Sequence, residues 1–196
     1  QRRALRCLER FGERVRAFPA GHVRALGTSA LRRARNSRAF LAKAKRTLGH
    51  PIEVISGREE ARLIYLGVAH DLSDDSGRRL VIDIGGGSTE VIIGERFEPI
   101  HADSLHMGCV SYSMKFFPEG RLKREHFRDA EMAAALELRS IKRRYRSVGW
   151  ESCVGASGTI NAIDDVLRAN GFCKGGITKD GLTKLRKVML DAGRTS

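Results

Sequence analysis

The stretch LVIDIGGGSTEVIIG, residues 80–94, decides the fold of this chain. Two apolar runs flank three consecutive glycines, Gly85 to Gly87, which is typical of two strands joined by a tight turn. An acid stands at each edge of that turn, Asp83 before it and Glu90 after it. Because glycine permits positive φ and close backbone approach, such a turn can point several N–H groups at one anion. Carboxylates would repel a phosphate unless a divalent cation lay between them, so the stretch predicts a site for phosphate and a metal ion.

The glycine turn matches neither of the two best-known phosphate-binding loops. A Walker loop continues with Gly-Lys-Ser/Thr, whereas Ser88 and Thr89 follow the glycines here. A Rossmann fingerprint needs a third glycine where Glu90 stands, and a helix in place of the second strand. An ordinary β-hairpin with a flexible turn is the structural alternative, and the flanking Asp83 and Glu90 disfavour it.

The segment DIGGGST resembles the second phosphate motif of the actin, Hsp70 and sugar-kinase superfamily. Within that superfamily, VIDIGGGSTE most resembles the exopolyphosphatase and guanosine pentaphosphatase (Ppx/GppA) family. Three further segments resemble the family in the family's order: GTSALR at 27–32, ISGREEAR at 55–62 and GASGTI at 155–160. The resemblance covers most of residues 5–190. It implies an α/β fold of two ribonuclease-H-like domains, of the actin-like ATPase superfamily, with two lobes around a cleft.

The resemblance also predicts how the chain is divided. Residues 1–77 are expected to be the remainder of the first ribonuclease-H-like domain and residues 78–196 the second, with the acidic stretch 71–77 as a surface loop or hinge. The family's first phosphate hairpin, Asp-x-Gly-Ser-Asn-Ser, has no counterpart before Leu26. We therefore expect the fold to be truncated at its N-terminus and also at its C-terminus, so that the chain alone would be weakly active or inactive.

Hydrophobic periodicity along the chain predicts alternating helices and strands, which favours the α/β class. The expected helices are 2–18, 28–35, one from a cap at Asn36-Ser37 toward Leu48, 59–70, 109–117, 124–146, 159–169 and 179–190. The expected strands are 23–26, 52–55, 80–82, 91–93, 100–105 and 152–155. Apolar stripes are expected on the first helix (Leu5, Leu8, Phe11, Val15, Phe18) and on the helix 124–146 (Phe127, Met132, Leu136, Ile141). Both stripes and Trp150 are expected in the core.

The net charge of +13 is concentrated in the first quarter of the chain. Residues 1–50 hold 14 lysines and arginines against Glu9 and Glu13, a net charge of +12. Such a surface attracts polyanions, namely nucleic acid, polyphosphate or acidic lipid, although a solvated arginine-rich face explains it equally well. Aromatic residues are sparse among these arginines, which disfavours binding of single-stranded nucleic acid.

Several functional classes are disfavoured by composition. No stretch approaches 18 apolar residues, so no membrane span is expected. The four cysteines lack the spacing of a zinc site or a disulfide framework, and we interpret them as reduced thiols of a cytoplasmic protein: Cys7, Cys109, Cys153 and Cys173. The six histidines show no ligand spacing and are assigned no role.

Hydrolysis of a phosphoanhydride needs a cradle for phosphate oxygens, a cation against their charge and a base for the attacking water. The glycine turn is the first candidate cradle, and the strand-to-helix turn at 155–159 is the second, since a helix N-terminus offers N–H groups to an anion. Plain helix capping by Ser157 is the structural alternative for the second turn. The predicted phosphate-binding residues are Gly85, Gly86, Gly87, Ser88, Thr89, Ser157 and Gly158, with Thr28 and Arg32, whose segment faces the family's cleft. Asp83 and Glu90 are predicted to hold Mg²⁺.

Glu60 is the candidate catalytic base, and the resemblance carries that assignment, because the family's catalytic glutamate lies in this Ser-Gly-x-Glu-Glu-Ala motif. Ser56 and Glu59 have the spacing of a capping box, in which Glu59 would serve the helix start. Glu60 lies about 100° further around the helix and is free for chemistry.

The resemblance thus implies an exopolyphosphatase that releases terminal phosphate from polyphosphate with Mg²⁺. Guanosine pentaphosphate hydrolysis is the close alternative, and the basic first quarter favours the polymer. A nucleotide-dependent kinase or ATPase, a non-catalytic sensor of alarmone or polyphosphate, and a nucleic-acid-binding protein are the other classes left open. The expected partners are polyphosphate or guanosine pentaphosphate and a second copy in a homodimer, with nucleic acid and membrane disfavoured.

Overall fold

The computed structural model describes residues 1–72 and 77–195. Eight α-helices are described: α1 Arg2–Val15, α2 Ser29–Arg33, α3 Ser37–Leu48, α4 Gly57–Asp71, α5 Cys109–Phe116, α6 Arg124–Val148, α7 Gly158–Ala169 and α8 Lys179–Ala192. Six strands are described: β1 Ala25–Gly27, β2 Ile52–Val54, β3 Arg78–Ile84, β4 Thr89–Glu95, β5 Glu98–Leu105 and β6 Ser152–Gly155. Each predicted helix and strand is present, so the α/β pattern is confirmed.

Two compact units make up the chain, Gln1–Glu60 and Ala61–Ser196. The predicted domain boundary at residue 77 stays a prediction, because residues 73–76 of the expected hinge lie outside the described residues.

In the first unit, β1 and β2 pair in parallel, with α2 and α3 between them in the chain. Helix α1 packs on α3 at Gly12, where an added Cβ would lie 2.9 Å from the carbonyl oxygen of Thr47. The contact is centred on this glycine, about 100° around the helix from Phe11. Phe11 is therefore 53% exposed and Phe18, beyond the helix end, 56% exposed, so their place in the predicted buried stripe was wrong.

The start of α3 also differs from its prediction. Asn36 is the N-cap residue, but its side chain makes no hydrogen bond to the helix. Its φ of −109° and ψ of 22° lie outside the extended conformation that a capping side chain normally requires.

The second unit is built on a four-stranded sheet with the order β5-β4-β3-β6. Strands β3, β4 and β5 are antiparallel neighbours, whereas β6 runs parallel to β3. Alternate residues of β3 and β4 enter two separate cores, as a period of two requires. The core beside α6 contains Leu80, Val91, Ile93, Leu105, Ile141 and Tyr145. The core on the opposite face contains Ala61, Tyr65, Ala69, Val81 and Ile92.

Helix α6 covers its core with its C-terminal half, through Ile141 and Tyr145. Met132 and Leu136 are 57% and 63% exposed, and Trp150 is 42% exposed, so their predicted burial was wrong. The hydroxyl of Tyr145 lies 2.5 Å from the carbonyl oxygen of Val91. Burial raises the pKa of Tyr145, so the phenol stays protonated and can donate this bond.

Candidate functional site

The two glycine turns singled out in the sequence lie side by side in the structure. Strands β3 and β6 are parallel, with Ile82 opposite Gly155, so both strands reach the same end of the sheet. The pairing continues beyond the strand, because the N–H of Ala156 donates to the carbonyl oxygen of Ile82 over 2.9 Å. The hairpin turn after Ile84 and the start of α7 are therefore neighbours.

Ser157 joins these two turns. Its buried Oγ accepts hydrogen bonds from the N–H of Ile84, at 3.1 Å, and from the N–H of Ile160, at 3.3 Å. A serine hydroxyl has two acceptor positions and one donor, so both acceptor positions serve the backbone. Ser157 was predicted to bind phosphate. In the structure only its O–H remains available to a phosphate, and the side chain instead connects β3 to the start of α7.

Replacing Ser157 by alanine is expected to lower the free energy of unfolding by about 1–2 kcal/mol, because it removes a helix cap and leaves the Ile84 N–H without its acceptor. Thr178→Ala is a matched control, since Thr178 caps α8 through the N–H of Gly181 without bonding to any strand. Thermal denaturation should show both losses, but hydrogen exchange at the Ile84 amide should accelerate in Ser157→Ala alone. Unchanged exchange at Ile84 would contradict the joining role of Ser157.

The start of α7 offers donors to an anion. Gly158 is the first residue of this 12-residue helix and is exposed. The N–H groups of the first helical turn have no intrahelical partner, and the helix dipole places partial positive charge there. Gly158 therefore has the geometry expected of a backbone phosphate ligand.

The glycine turn is closed by one hydrogen bond, from the N–H of Gly85 to the carbonyl oxygen of Ser88, 3.0 Å long. None of Gly85, Gly86 and Gly87 has positive φ, so the turn does not use the left-handed backbone that glycine permits. At Gly86 an added Cβ would make only ordinary contact with α5, at 3.5 Å, and at Gly85 the nearest atom, at 3.2 Å, belongs to the turn itself.

Helix α5 binds the carbonyl oxygens of the glycine turn with the backbone N–H groups of its first residues. The N–H of Cys109 donates to Gly85 over 2.9 Å, and the N–H groups of Val110 and Ser111 both donate to Gly86 over 3.0 Å. In a planar trans peptide the N–H points opposite to the C=O. With the carbonyls of Gly85 and Gly86 turned to α5, the N–H groups of Gly86 and Gly87 point away from the helix, toward the side where an anion could bind.

Gly108 makes this arrangement possible, and the sequence reasoning missed it. An added Cβ would lie 2.6 Å from the Gly87 nitrogen and 2.7 Å from both the Gly85 oxygen and the Gly86 carbonyl carbon. Its φ of −161° is open to any residue, so close approach alone requires glycine. The signal in the sequence was a glycine directly before the predicted helix at Cys109, but nothing local shows which backbone it meets.

The hydroxyl residues after the glycines are buried. Ser88 is 4% and Thr89 3% exposed, and the Oγ1 of Thr89 donates to the carbonyl oxygen of Met107 over 2.7 Å. The structure therefore uses the Thr89 side chain to hold β4 against the segment before α5. The exposed part of the predicted phosphate loop is the backbone around Gly86.

Asp83 and Glu90, the predicted metal ligands, are direct partners across the antiparallel β3–β4 pair. Such partners have Cβ atoms about 4.5–5.5 Å apart on one face of the sheet. Glu90 is 1% exposed, and Ser104 donates to its Oε1 over 2.7 Å, whereas Asp83 is half-buried. Two adjacent carboxylates suit Mg²⁺, which takes one or two of them together with water and substrate phosphates. Among residues 1–72 and 77–195, no group of three or more His, Cys, Asp or Glu side chains could hold a metal.

The other predicted site residues belong to the first unit, where the structure brings Arg32 and Glu60 together. Nη1 of Arg32 lies 2.9 Å from Oε2 of Glu60 and 2.8 Å from the carbonyl oxygen of Ile55. Thr28 begins α2 without a side-chain capping bond. The N–H of Glu59 donates to Oγ of Ser56 over 3.2 Å, which confirms the serine half of the predicted capping box.

Strand order, helix placement and the paired glycine turns define the α/β class that the sequence resemblance predicted. The chain belongs to the Ppx/GppA phosphatase family, which it matches over residues 1–195. A guanosine-5'-triphosphate,3'-diphosphate pyrophosphatase of Vibrio vulnificus is 50% identical over 181 residues, which cover 92% of this chain and 36% of that protein.

Two solved structures show the same fold. An exopolyphosphatase from Cytophaga hutchinsonii superposes with a TM-score of 0.80 at 26% identity, over 96% of this chain and 63% of that one. The Aquifex aeolicus PPX-GPPA enzyme superposes with a TM-score of 0.67 at 30% identity, over 86% of this chain and 54% of that one. The predicted family and its ribonuclease-H-like fold class are confirmed, and the chain spans about a third of the length of the Vibrio protein.

Proposed function

We propose that the protein containing this chain is a phosphoanhydride hydrolase that releases terminal phosphate from inorganic polyphosphate. The proposal is supported by family membership over the whole described length and by one observation in particular. The two glycine turns meet at one end of the sheet, where backbone N–H groups of Gly86, Gly87 and Gly158 have no partner among the described residues. Unpartnered backbone donors grouped at one end of a sheet are suited to the oxygens of a phosphate.

In the proposed reaction, the water oxygen forms a bond to the terminal phosphorus while the bridging P–O bond breaks. Glu60 accepts a proton from that water, and the shortened polyphosphate leaves with the bridging oxygen. The glycine turn and the start of α7 bind the oxygens of the terminal phosphate and orient it. Asp83 and Glu90 would hold Mg²⁺, which when bound neutralises negative charge on the phosphate oxygens.

The unequal charge distribution supports a polymeric substrate. Residues 1–50 carry a net charge of +12, which attracts a long polyanion more strongly than a short one. Guanosine pentaphosphate is the second candidate, and the 50% identity to a pyrophosphatase named for that type of substrate favours it.

Phosphate release should be measured for both substrates with the protein expressed from its complete reading frame. A polymer-directed enzyme should have the larger kcat/KM on long polyphosphate, with a KM that rises steeply with salt, because screening weakens a multi-charge contact. A larger kcat/KM on guanosine pentaphosphate would assign the second candidate. ADP binding with no phosphate release from either substrate would overturn the proposal in favour of a kinase or ATPase.

Location and assembly are part of the same proposal. No helix among residues 1–72 and 77–195 is long and apolar enough to cross a membrane. We place the protein in the cytoplasm and expect a homodimer, which light scattering on the purified protein would test.

A further inference from the structure

Arg32 and Glu60 form a partly buried ion pair in which one guanidinium nitrogen of Arg32 donates to two acceptors. The side chains are 25% and 15% exposed, so water screens the pair less than it would at the surface. Nη1 of Arg32 carries two hydrogens, and two acceptors lie within reach of that nitrogen: Oε2 of Glu60 and the carbonyl oxygen of Ile55. One nitrogen therefore bonds both to the candidate base and to the backbone directly after β2.

The carbonyl of Ile55 fixes where the guanidinium lies. Ile55 is 5% exposed and its own N–H donates to the carbonyl oxygen of Gly27, so this acceptor belongs to rigid backbone. A planar guanidinium bound to a fixed acceptor has little rotational freedom left, and it presents its second Nη1 hydrogen in a set direction. That hydrogen points to Oε2 of Glu60.

The opposite edges of both side chains have no partner within the described residues. Nε and Nη2 of Arg32 form the edge that binds carboxylate or phosphate in a bidentate manner, and that edge makes no hydrogen bond here. Oε1 of Glu60 is likewise unbonded, since only Oε2 accepts from Arg32. One oxygen of the base is thus held while the other is left to accept a proton.

We propose that Arg32 is a positioning residue for Glu60: its Nη1, fixed by the Ile55 carbonyl, orients the carboxylate so that Oε1 faces the attacking water. The inference rests on the proposed function, in which Glu60 is the base. It differs from the sequence-based prediction that Arg32 grips phosphate, because it places the effect of Arg32 in the chemical step rather than in substrate binding.

The test is a double-mutant cycle on Arg32→Gln and Glu60→Gln in the protein from its complete reading frame. Arg32→Gln alone removes the group that orients the Glu60 carboxylate. It is therefore expected to lower kcat about 10- to 100-fold and to leave KM within about threefold of the wild type. In the Glu60→Gln background, Arg32→Gln should lower kcat less than about threefold further, because residues that act as a unit are not additive. Arg32→Lys should resemble Arg32→Gln, since one ammonium cannot hold both acceptors in fixed directions.

Arg33→Gln is the matched control, because Arg33 is the exposed neighbour on the same short helix and should leave kcat and KM unchanged. A higher KM with unchanged kcat in Arg32→Gln, restored by lysine, would assign Arg32 to phosphate binding and overturn the inference. The inference would also be overturned if the loss of kcat in the double variant equalled the product of the losses in the two single variants.

A melting experiment separates this inference from the proposed function. Arg32→Gln and Glu60→Ala should each lower Tm by a few degrees, on the order expected for one charge-assisted hydrogen bond, and the double variant should melt no lower than the less stable single variant. If the wild type released no phosphate, the proposed function would fail while this cycle still reported whether Arg32 holds Glu60. Additive losses of Tm would show that it does not.

Discussion

Replacing Glu60 by glutamine is expected to lower phosphate release about 10²- to 10⁴-fold, the range for loss of a general base. Glutamine keeps the size of the side chain and an oxygen that can accept the Arg32 hydrogen bond seen at 2.9 Å. It cannot take a proton from water, so the chemical step is lost while the local structure is kept. The measurement is kcat for phosphate release, with Tm and substrate affinity determined on the same preparation.

Glu59→Gln is the informative comparison, because the two glutamates are neighbours in sequence and only one can be the base. The N–H of Glu59 is bonded to Oγ of Ser56 at the start of α4, whereas the Glu60 side chain is directed by Arg32. Glu59→Gln is therefore expected to keep kcat within about threefold of the wild type, as a change outside the chemistry should. If Glu59→Gln were the inactive variant and Glu60→Gln the active one, the assignment of the base would move to Glu59.

The sequence predicted the helices and strands well because each has a strong local signal. The hairpin of β3 and β4 follows from two apolar runs around Gly85 to Gly87, and α7 follows from the turn at its start. The parallel pairing of β3 with β6 is not local, since residues 85–151 separate the two strands in the chain. The family resemblance, rather than periodicity, was what linked the two glycine turns to one site.

The errors share a physical cause, which is that helical periodicity does not show where two elements approach most closely. Phe11 lies in the predicted apolar stripe but off the contact, because α1 meets α3 at Gly12. Leu136 lies on an apolar face of α6, but the sheet is covered further along, at Ile141 and Tyr145. Both outcomes depend on tertiary packing that the sequence pattern leaves open.

The roles of the site residues were the least predictable part of the sequence. Ser157 and Thr89 have the residue type of phosphate ligands, but their oxygens bond to the backbone of Ile84, Ile160 and Met107. Gly108 was not singled out at all, although it touches the backbone of the predicted phosphate loop. Residue type shows what a side chain can bind, whereas the partner depends on which backbone groups the fold brings near.

Replacing Gly108 by alanine is expected to cost about 2–4 kcal/mol of folding free energy, roughly 5–15 °C in Tm, because a well-packed position has no room for a methyl group. All three atoms that the Cβ would meet, at 2.6–2.7 Å, are backbone atoms of the glycine turn and cannot rotate away. Either α5 or the turn must move, and the three N–H bonds from Cys109, Val110 and Ser111 would weaken. We expect phosphate release to fall at least tenfold in the molecules that remain folded, because the turn would lose its support.

Gly67→Ala gives the opposite expectation in the same melting assay. Gly67 lies inside α4, is exposed, and an added Cβ would meet nothing within 4 Å. Alanine in a helix interior is more favourable than glycine by about 0.5–1 kcal/mol, so this variant should melt higher and keep its activity. Comparing Gly108→Ala with Gly67→Ala therefore distinguishes a glycine required for close backbone approach from one that is not. A Gly108→Ala variant with wild-type Tm and wild-type phosphate release would show that α5 does not hold the turn, and the backbone donors of Gly86 and Gly87 would then need another explanation.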